Sequence, residues 1–196
     1  MSLDSSELFV AGRGAMYRCP LGTAQPAAPD AVLDPECLHL GYFSTDGLEM
    51  PHDDSTNDIF GWQGSTLLRT IITESKVSAS FTPLQTRGSV LETYYPGSEV
   101  TEVGSEHFEL RVRPRIALPY TWIFDIFDGT RHIRYWFPRA EVTERGSLMF
   151  LNSEPIGYPM TVTFYPVPDP TDPTQQVIFV EMTTELAFAE GVVVTS

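Results

Sequence analysis

LGYFSTDGLEMPHDDSTNDIFGWQGSTLLRTIITESKVSASFTPL, residues 40–84, contains the clearest secondary-structure pattern of the 196-residue chain. Near its end, Val77, Ala79 and Phe81 alternate with polar side chains, and period-two alternation is typical of a strand with one buried and one solvated face. We expect a hairpin with arms at residues 65–73 and 76–84 and a turn near Glu74-Ser75. A long acidic loop at residues 45–57 is expected before it, because the segment is polar and contains an Asp-Gly turn at Asp46-Gly47.

The rest of the chain predicts a mainly β protein. The 16 prolines and 14 glycines favour many turns over long helices. Further strands are expected at residues 15–20, 38–44, 107–113, 120–127, 132–137, 140–144, 160–166 and 176–182, and one helix at residues 86–95. The predicted fold is a β-sandwich or partly closed barrel with one flanking helix. Residues 14–182 would form this single domain, between a flexible arm at residues 1–13 and a tail at residues 183–196.

Charge is distributed unevenly along the chain. The formal net charge is −14, and no Lys or Arg occurs between Cys19 and Leu68. So acidic a chain is a poor candidate for tight binding of DNA or RNA, which needs many cations to neutralise phosphates. We expect no secretory signal, and no apolar run is long enough to span a membrane. We therefore expect a reduced environment in which Cys19 and Cys37 are free thiols.

Few residues suggest catalysis or metal binding. His52, Asp53 and Asp54 could in principle ligate a metal, but they are adjacent in sequence and no second His lies at ligand spacing, so a solvated loop is expected. Asp125 is expected on a polar sheet face with Thr121 and Ile123. The three tryptophans are expected in the core. We expect no catalytic residue, no metal and no cofactor. The tryptophans are Trp62, Trp122 and Trp136.

One segment resembles a known family. Gly41-Tyr42, Asp46-Gly47, Asp58 and Trp62-Gln63-Gly64, followed by the alternating stretch and then Leu91-Glu92-Thr93-Tyr94-Tyr95, are similar in order and spacing to the major tail (tail-tube) proteins of long-tailed, non-contractile bacteriophages. The resemblance implies a structural virion protein with a β-sandwich and one flanking helix. Six copies would form a ring with a shared inner β-barrel, and stacked rings would form the tail tube.

The resemblance also implies partners. These are other copies of the chain in stacked homohexameric rings, a tape-measure protein, and tail terminator and tip proteins. Double-stranded DNA would pass through the lumen without specific binding, and no membrane would be involved. The protein would reside in the virion tail, after assembly in the host cytoplasm.

Three sets of residues are candidates for these roles. Lumen-facing candidates on the expected hairpin are Thr70, Glu74, Lys76, Ser78, Ser80 and Thr82. Candidates for ring stacking in the acidic loop are Asp46, Glu49, His52, Asp53, Asp54 and Asp58. Basic partners for those acids on a neighbouring subunit are Arg111, Arg113, Arg115, Arg131 and Arg134, of which the first three would share one face of a strand or of its extension.

Two other functions stay open from the sequence. The chain could be a β-sandwich binding module or a capsid or tail decoration protein, which predicts an exposed aromatic patch and saturable ligand binding by the monomer. A metal-dependent hydrolase using His52, Asp53 and Asp54 is the more remote alternative.

Overall fold

The computed structural model describes residues 8–184 of the chain, and this part is dominated by antiparallel strands. The elements in chain order are β1 (Arg13–Cys19), β2 (Leu38–His39), β3 (Phe43–Glu49), β4 (His52–Phe60), β5 (Leu67–Pro83), α1 (Gly88–Tyr94), β6 (Val100–Glu102), β7 (Phe108–Leu110), β8 (Tyr120–Asp128), β9 (Arg131–Arg145), β10 (Met160–Phe164), β11 (Val167–Pro168), β12 (Gln176–Val177) and β13 (Val180–Thr183).

One large sheet organises the domain. Its strands follow the order β2-β1-β8-β9-β10-β5-β3, with β4 paired to β5 and β13 paired to β9. Phe81 on β5 and Trp122 on β8 are three strand spacings apart, about 14 Å in a flat sheet. Their ring centroids are nevertheless 5.8 Å apart. The sheet therefore curves around its apolar face, as the predicted sandwich or partly closed barrel requires.

The core lies on the concave face of this sheet. The apolar members of alternating strands meet there: Val77, Ala79 and Phe81 stand opposite Phe164, Val162 and Met160 in register. All of them are buried, which confirms the alternation predicted for the second half of β5. Stacked and edge-on contacts among Phe81, Trp122, Phe124, Phe137 and Phe164 fill the centre.

Helix α1 covers one side of the core and confirms the predicted helix. Val90 and Tyr94 are buried against the sheet, and the helix ends just before Pro96-Gly97. The buried guanidinium of Arg18 on β1 lies 3.4 Å from Glu92 of the helix and over the ring of Tyr120. Across residues 8–184, no helix has the length and hydropathy needed to cross a membrane.

The predicted hairpin within residues 65–84 is wrong, because β5 is one continuous strand of 17 residues. Glu74 and Ser75, where we expected the turn, lie in the middle of it. The predicted acidic loop at residues 45–57 is also wrong, since β3 and β4 occupy most of it and only Met50 and Pro51 separate them. Both β3 and β4 pair antiparallel with β5. The pairing of backbone groups along β5 has outweighed the loop-like composition of the segment.

Residues 20–37, which we call the strap, cross the convex face of the sheet. The strap bonds to that face at several points: Gly22 N–H donates to Thr121 Oγ1 at 3.2 Å, and Trp136 Nε1 donates to the Thr23 carbonyl at 3.2 Å. A disulfide between Cys19 and Cys37 joins its two ends. The expectation of free thiols is therefore wrong. It rested on an expected reducing environment, whereas the fold brings the two cysteines together and they form a disulfide.

Reduction of this disulfide should destabilise the domain. The bond closes a loop with a sequence separation of 18 residues, and a loop of this size restricts the unfolded chain by about 3 kcal/mol. We expect reductant to lower the free energy of unfolding of the native chain by roughly that amount in urea titrations. The control is the double variant Cys19→Ser, Cys37→Ser, which should be less stable from the start and insensitive to reductant. Identical titrations of the native chain with and without reductant would contradict the assignment.

Candidate assembly surfaces

Strand β4 and the first half of β5 form a two-stranded arm that projects from the domain. Every residue of β4 is exposed, and so is every residue of β5 from Leu67 to Lys76. Both faces of the arm are therefore open, whereas the second half of the same strand β5 lies in the core. A two-stranded ribbon on its own is marginally stable in water. Within residues 8–184, the arm thus presents a long surface without a packing partner.

The arm ends in a tight loop with exposed apolar residues, which we call the arm tip (residues 59–69). Gly61 N–H donates to the Thr66 carbonyl at 2.8 Å, and the left-handed backbone at Gly64 and Ser65 reverses the chain. Trp62 is 97% exposed, so the prediction that it lies in the core is wrong. Trp122 and Trp136 are buried as predicted. The other exposed large apolar residues of the tip are Ile59, Phe60, Leu67 and Leu68.

A β-bulge in the arm divides the lumen-facing candidates between two faces. In register, Ser55 of β4 stands opposite Glu74 while the next residue, Thr56, stands opposite Ile72, so Thr73 is the additional residue. The bulge resets the alternation, and Thr70 consequently lies on the opposite face from Lys76. There Thr70 Oγ1 donates to Asp58 Oδ1 at 2.6 Å. The remaining candidates share one face: Glu74, Lys76, Ser78, Ser80 and Thr82.

That face continues across the neighbouring strands as a ladder of hydroxyl groups. Ser80 Oγ lies 3.0 Å from Thr161 Oγ1 on β10, and Thr143 Oγ1 on β9 lies 2.8 Å from Thr163 Oγ1 on β10. Ser78 stands opposite Thr163 in register. We call this surface, made by Ser78, Ser80, Thr143, Thr161 and Thr163, the hydroxyl face. Sequence reasoning missed its β9 and β10 members, although the alternation of Thr161 and Thr163 with Met, Val and Phe was the signal.

The comparison with known families agrees with this architecture. A family model described as "Phage tail tube protein" matches residues 1–186. The chain belongs to this family. A search of curated proteins found no significant match. Membership makes the chain a structural component of a phage tail, whose copies assemble into a tube with other tail components.

In this tail tube protein the six ring-stacking candidates are all exposed but lie on strands instead of a loop. Asp46 and Glu49 are on β3, and the other four are on β4. Along β4 the side chains alternate, so His52, Asp54 and Asp58 share one face while Asp53 lies on the other. Asp53 stands opposite Lys76, the single lysine of the chain. The arm therefore carries acidic groups on both faces.

The same alternation separates the residues of the hypothetical metal site. His52 and Asp54 lie on one face of β4 and Asp53 on the other, so the three side chains do not converge. Among residues 8–184 there is no group of three or more His, Cys, Asp or Glu side chains placed to hold a metal ion.

The arginine candidates fall into two groups. Arg111, Arg113 and Arg115 are exposed and lie just beyond β7 in a segment without strand pairing, so they do not lie on a strand as one form of the prediction had it. Arg111 Nε lies 2.5 Å from Glu109 Oε1, and this contact lowers the pKa of Glu109. Arg115 donates to the Val142 carbonyl. Arg131 donates to Asp128 and to the Leu8 carbonyl, contacts that tie residues near the start of the described chain to the β8–β9 turn.

Arg134 belongs to a buried network beneath the strap. Its guanidinium donates from Nε to Asp125 Oδ1 at 2.6 Å and from Nη2 to Asp125 Oδ2 at 2.9 Å. Nη1 donates to the Ala31 carbonyl of the strap at 2.7 Å. His132 Nε2 lies 3.1 Å from Asp125 Oδ1 without hydrogen-bond alignment. Arg134 is thus bonded within its own chain and leaves the set of inter-subunit candidates.

The environment of Asp125 also differs from the prediction of a polar sheet face. Asp125 does lie with Thr121 and Ile123, as the alternation predicted, but it is only 3% exposed because the strap covers that face. A bidentate Arg–carboxylate pair compensates much of the cost of burying both charges. The network therefore fixes the position of the strap over the convex face of the sheet.

Removal of the Asp125 carboxylate should destabilise the domain strongly. In Asp125→Ala the buried Arg134 guanidinium loses its counter-charge, and breaking one partner of a buried pair costs about 3–5 kcal/mol. We expect that loss in the free energy of unfolding from urea titrations. The exposed Glu102→Ala is the matched control and should change the unfolding midpoint little. A comparably small effect of Asp125→Ala would show that the pair is not a determinant of stability.

Proposed function

We propose that this protein forms rings that stack into the phage tail tube and that the tube conducts double-stranded DNA into the host. The observation that carries the proposal is the arm, whose β5 strand is rigidly continuous with the core yet exposed on both faces over Leu67–Lys76. A long exposed ribbon with unpaired edges is an aggregation hazard in a monomer. In an ordered assembly of identical copies the same ribbon and its edges are covered.

The half-buried part of the hydroxyl face, at Ser80, Thr143 and Thr161, is suited to line the channel, whereas Ser78 and Thr163 are buried in the single chain. Ser, Thr and Glu side chains cover adjacent parts of β5, β9 and β10, where Thr163 stands opposite Glu141 and Thr161 opposite Glu144. Hydroxyls bind phosphates weakly without cations, and carboxylates repel them. Lys76 is the exception on this face, but Asp53 stands directly opposite it on β4. A wall of this composition lets DNA slide without being held.

The proposed assembly is a hexameric ring with a shared inner barrel, stacked through the arm. Closing a ring pairs sheet edges that stay open in the single chain, such as the outer edge of β4. The tape-measure protein, the terminator and tip proteins, and assembly in the host cytoplasm belong to the same proposal. They follow from the tail-tube architecture, in which rings enclose an elongated protein before DNA enters. No catalytic step is part of the proposed role.

The exposed Trp62 is the one observation that favours the binding-module alternative. Small-molecule sites are concave, however, and enclose most of their ligand. Trp62 stands at the end of a projecting arm instead, with 97% of its surface in solvent. A surface of this shape suits insertion into another protein better than enclosure of a small ligand.

Shortening the arm should abolish assembly and leave the domain folded. Asp54 and Ser75 stand opposite each other in register, so replacing residues 55–74 with Asn-Gly joins them through a two-residue turn. Because every deleted residue except the half-buried Gly61 is exposed, we expect a folded monomer by circular dichroism and analytical ultracentrifugation. The native chain should form rings or tubes in negative-stain electron microscopy. A native chain that stays monomeric at high concentration would overturn the proposal, as would tubes formed by the shortened variant.

The acidic arm should bind the exposed arginines of another copy. Asp53→Asn, Asp54→Asn and Asp58→Asn combined remove three charges at nearly constant shape. We expect weaker assembly and a smaller dependence of assembly on salt, measured by sedimentation between low and high ionic strength. Arg113→Ala should have the same direction of effect, because its guanidinium is exposed. An unchanged salt dependence in both variants would remove the arm acids and Arg113 from the interface.

A further inference from the structure

A groove lies at the far end of β5 from the arm tip. It has a volume of about 200 Å³, below the roughly 300–1,000 Å³ of small-molecule sites. It therefore has room for about one large side chain. The exposed apolar residues Met149 and Leu151 line one wall, and the exposed Phe150 lies between them in sequence. The lining includes Ser44, Thr82, Leu84, Met149, Leu151 and Gly157.

The tip and the groove lie too far apart to meet within one chain. The tip joins β5 at Leu67, and the groove is lined by Thr82 near the end of the same strand. Fifteen residues of strand separate them by about 50 Å. A contact between them therefore joins two copies, and it is heterologous, since each copy contributes a different surface. Contacts of this type repeat from copy to copy and generate rings or filaments.

Charge complementarity supports the same pairing. Arg69 lies on the arm tip, and it is the only Lys or Arg between Cys19 and Ser75. Glu154 lies on the rim of the groove. Both side chains are exposed, and within residues 8–184 neither has an ion-pair partner in its own chain. The aromatic anchor and the cation at one end thus match an apolar groove and a carboxylate at the other.

We propose that the arm tip of one copy inserts Trp62 into this groove of a second copy, where Arg69 pairs with Glu154. The inference rests on the proposed self-assembly and names the two surfaces that carry it. A buried aromatic residue in a fitted pocket is the commonest energetic centre of a protein interface. The surrounding tip residues, Phe60, Leu67 and Leu68, would cover the exposed apolar wall at Met149, Phe150 and Leu151 and exclude water from the contact.

The segment that follows Thr184 is another candidate occupant of the groove, and the experiment must distinguish it from the arm tip.

Truncation of Trp62 tests the aromatic half of the contact. Trp62→Ala should raise the concentration at which tubes form by roughly thirtyfold, as loss of an interface hot spot does. Phe108→Ala is the matched control, because Phe108 is a similarly exposed aromatic residue on the β6–β7 hairpin. It should leave that concentration unchanged. In the native chain the fluorescence of Trp62 should shift to shorter wavelength on assembly, while Trp122 and Trp136 are already buried.

Charge reversal tests the specific pairing. Arg69→Glu and Glu154→Arg should each weaken assembly, and the double variant should recover most of the loss. A chain that ends at Thr184 should still assemble with the native midpoint. Loss of assembly in that truncated chain, with no effect of Trp62→Ala, would assign the groove to the C-terminal segment.

The outcomes separate this inference from the broader function. If the native chain forms tubes but Trp62→Ala assembles equally well, or the charge reversals fail to compensate, the tip–groove contact is wrong and tube formation stands. If the native chain forms no tube under any condition, both fail together.

Discussion

The register of strand β5 is the constraint on which the rest of the structure depends. Its second half is held by buried apolar pairs with β10, and a shift by one residue would expose Val77, Ala79 and Phe81 together. Because the strand continues without a break into the arm, the same pairs also determine which arm residues face which way. The core thereby fixes the orientation of a surface that has no packing partner of its own. Register shifts at Thr73 and, near the tip, at Leu68 reset this relation along the exposed half of the strand.

The convex face of the sheet, opposite the core, has two parts, one covered by the strap and one not. Beneath the strap it carries a buried ion pair and apolar residues such as Ile123, sealed by the Cys19–Cys37 bond. Across β5, β9 and β10 it carries short hydroxyl side chains that bond to one another. One part is thus closed by the chain itself. The other is polar but only partly open to solvent, since Ser78 and Thr163 are buried and Ser80, Thr143 and Thr161 are half-buried.

Sequence patterns over a few residues predicted most strands, the helix and the core face of β5, because side-chain alternation and helix-ending Pro-Gly pairs are local signals. These patterns failed where contacts between residues far apart in the sequence determine the structure. The composition of residues 45–57 indicates a loop, but pairing with β5 makes it a strand. Asp125 has the predicted parity, yet only the strap, far away in sequence, buries it. Trp62 is in solvent because β4 and β5 carry the turn between them out of the domain, which no single-strand pattern reveals. Of the candidate surfaces, the acidic set was found by composition, while the groove needed the folded chain.

The placement of tip and groove at opposite ends of one strand gives any assembly built from them a direction. If the proposed tip–groove contact joins one ring to the next, each added copy fills one groove and presents one new tip. The tube then ends in free tips on one side and free grooves on the other. These two ends are chemically different surfaces, one aromatic and cationic, the other an apolar groove beside a carboxylate. Such a contact does not limit the number of rings, so under this proposal tube length is set by something other than the contact itself, and the two ends require different closing surfaces.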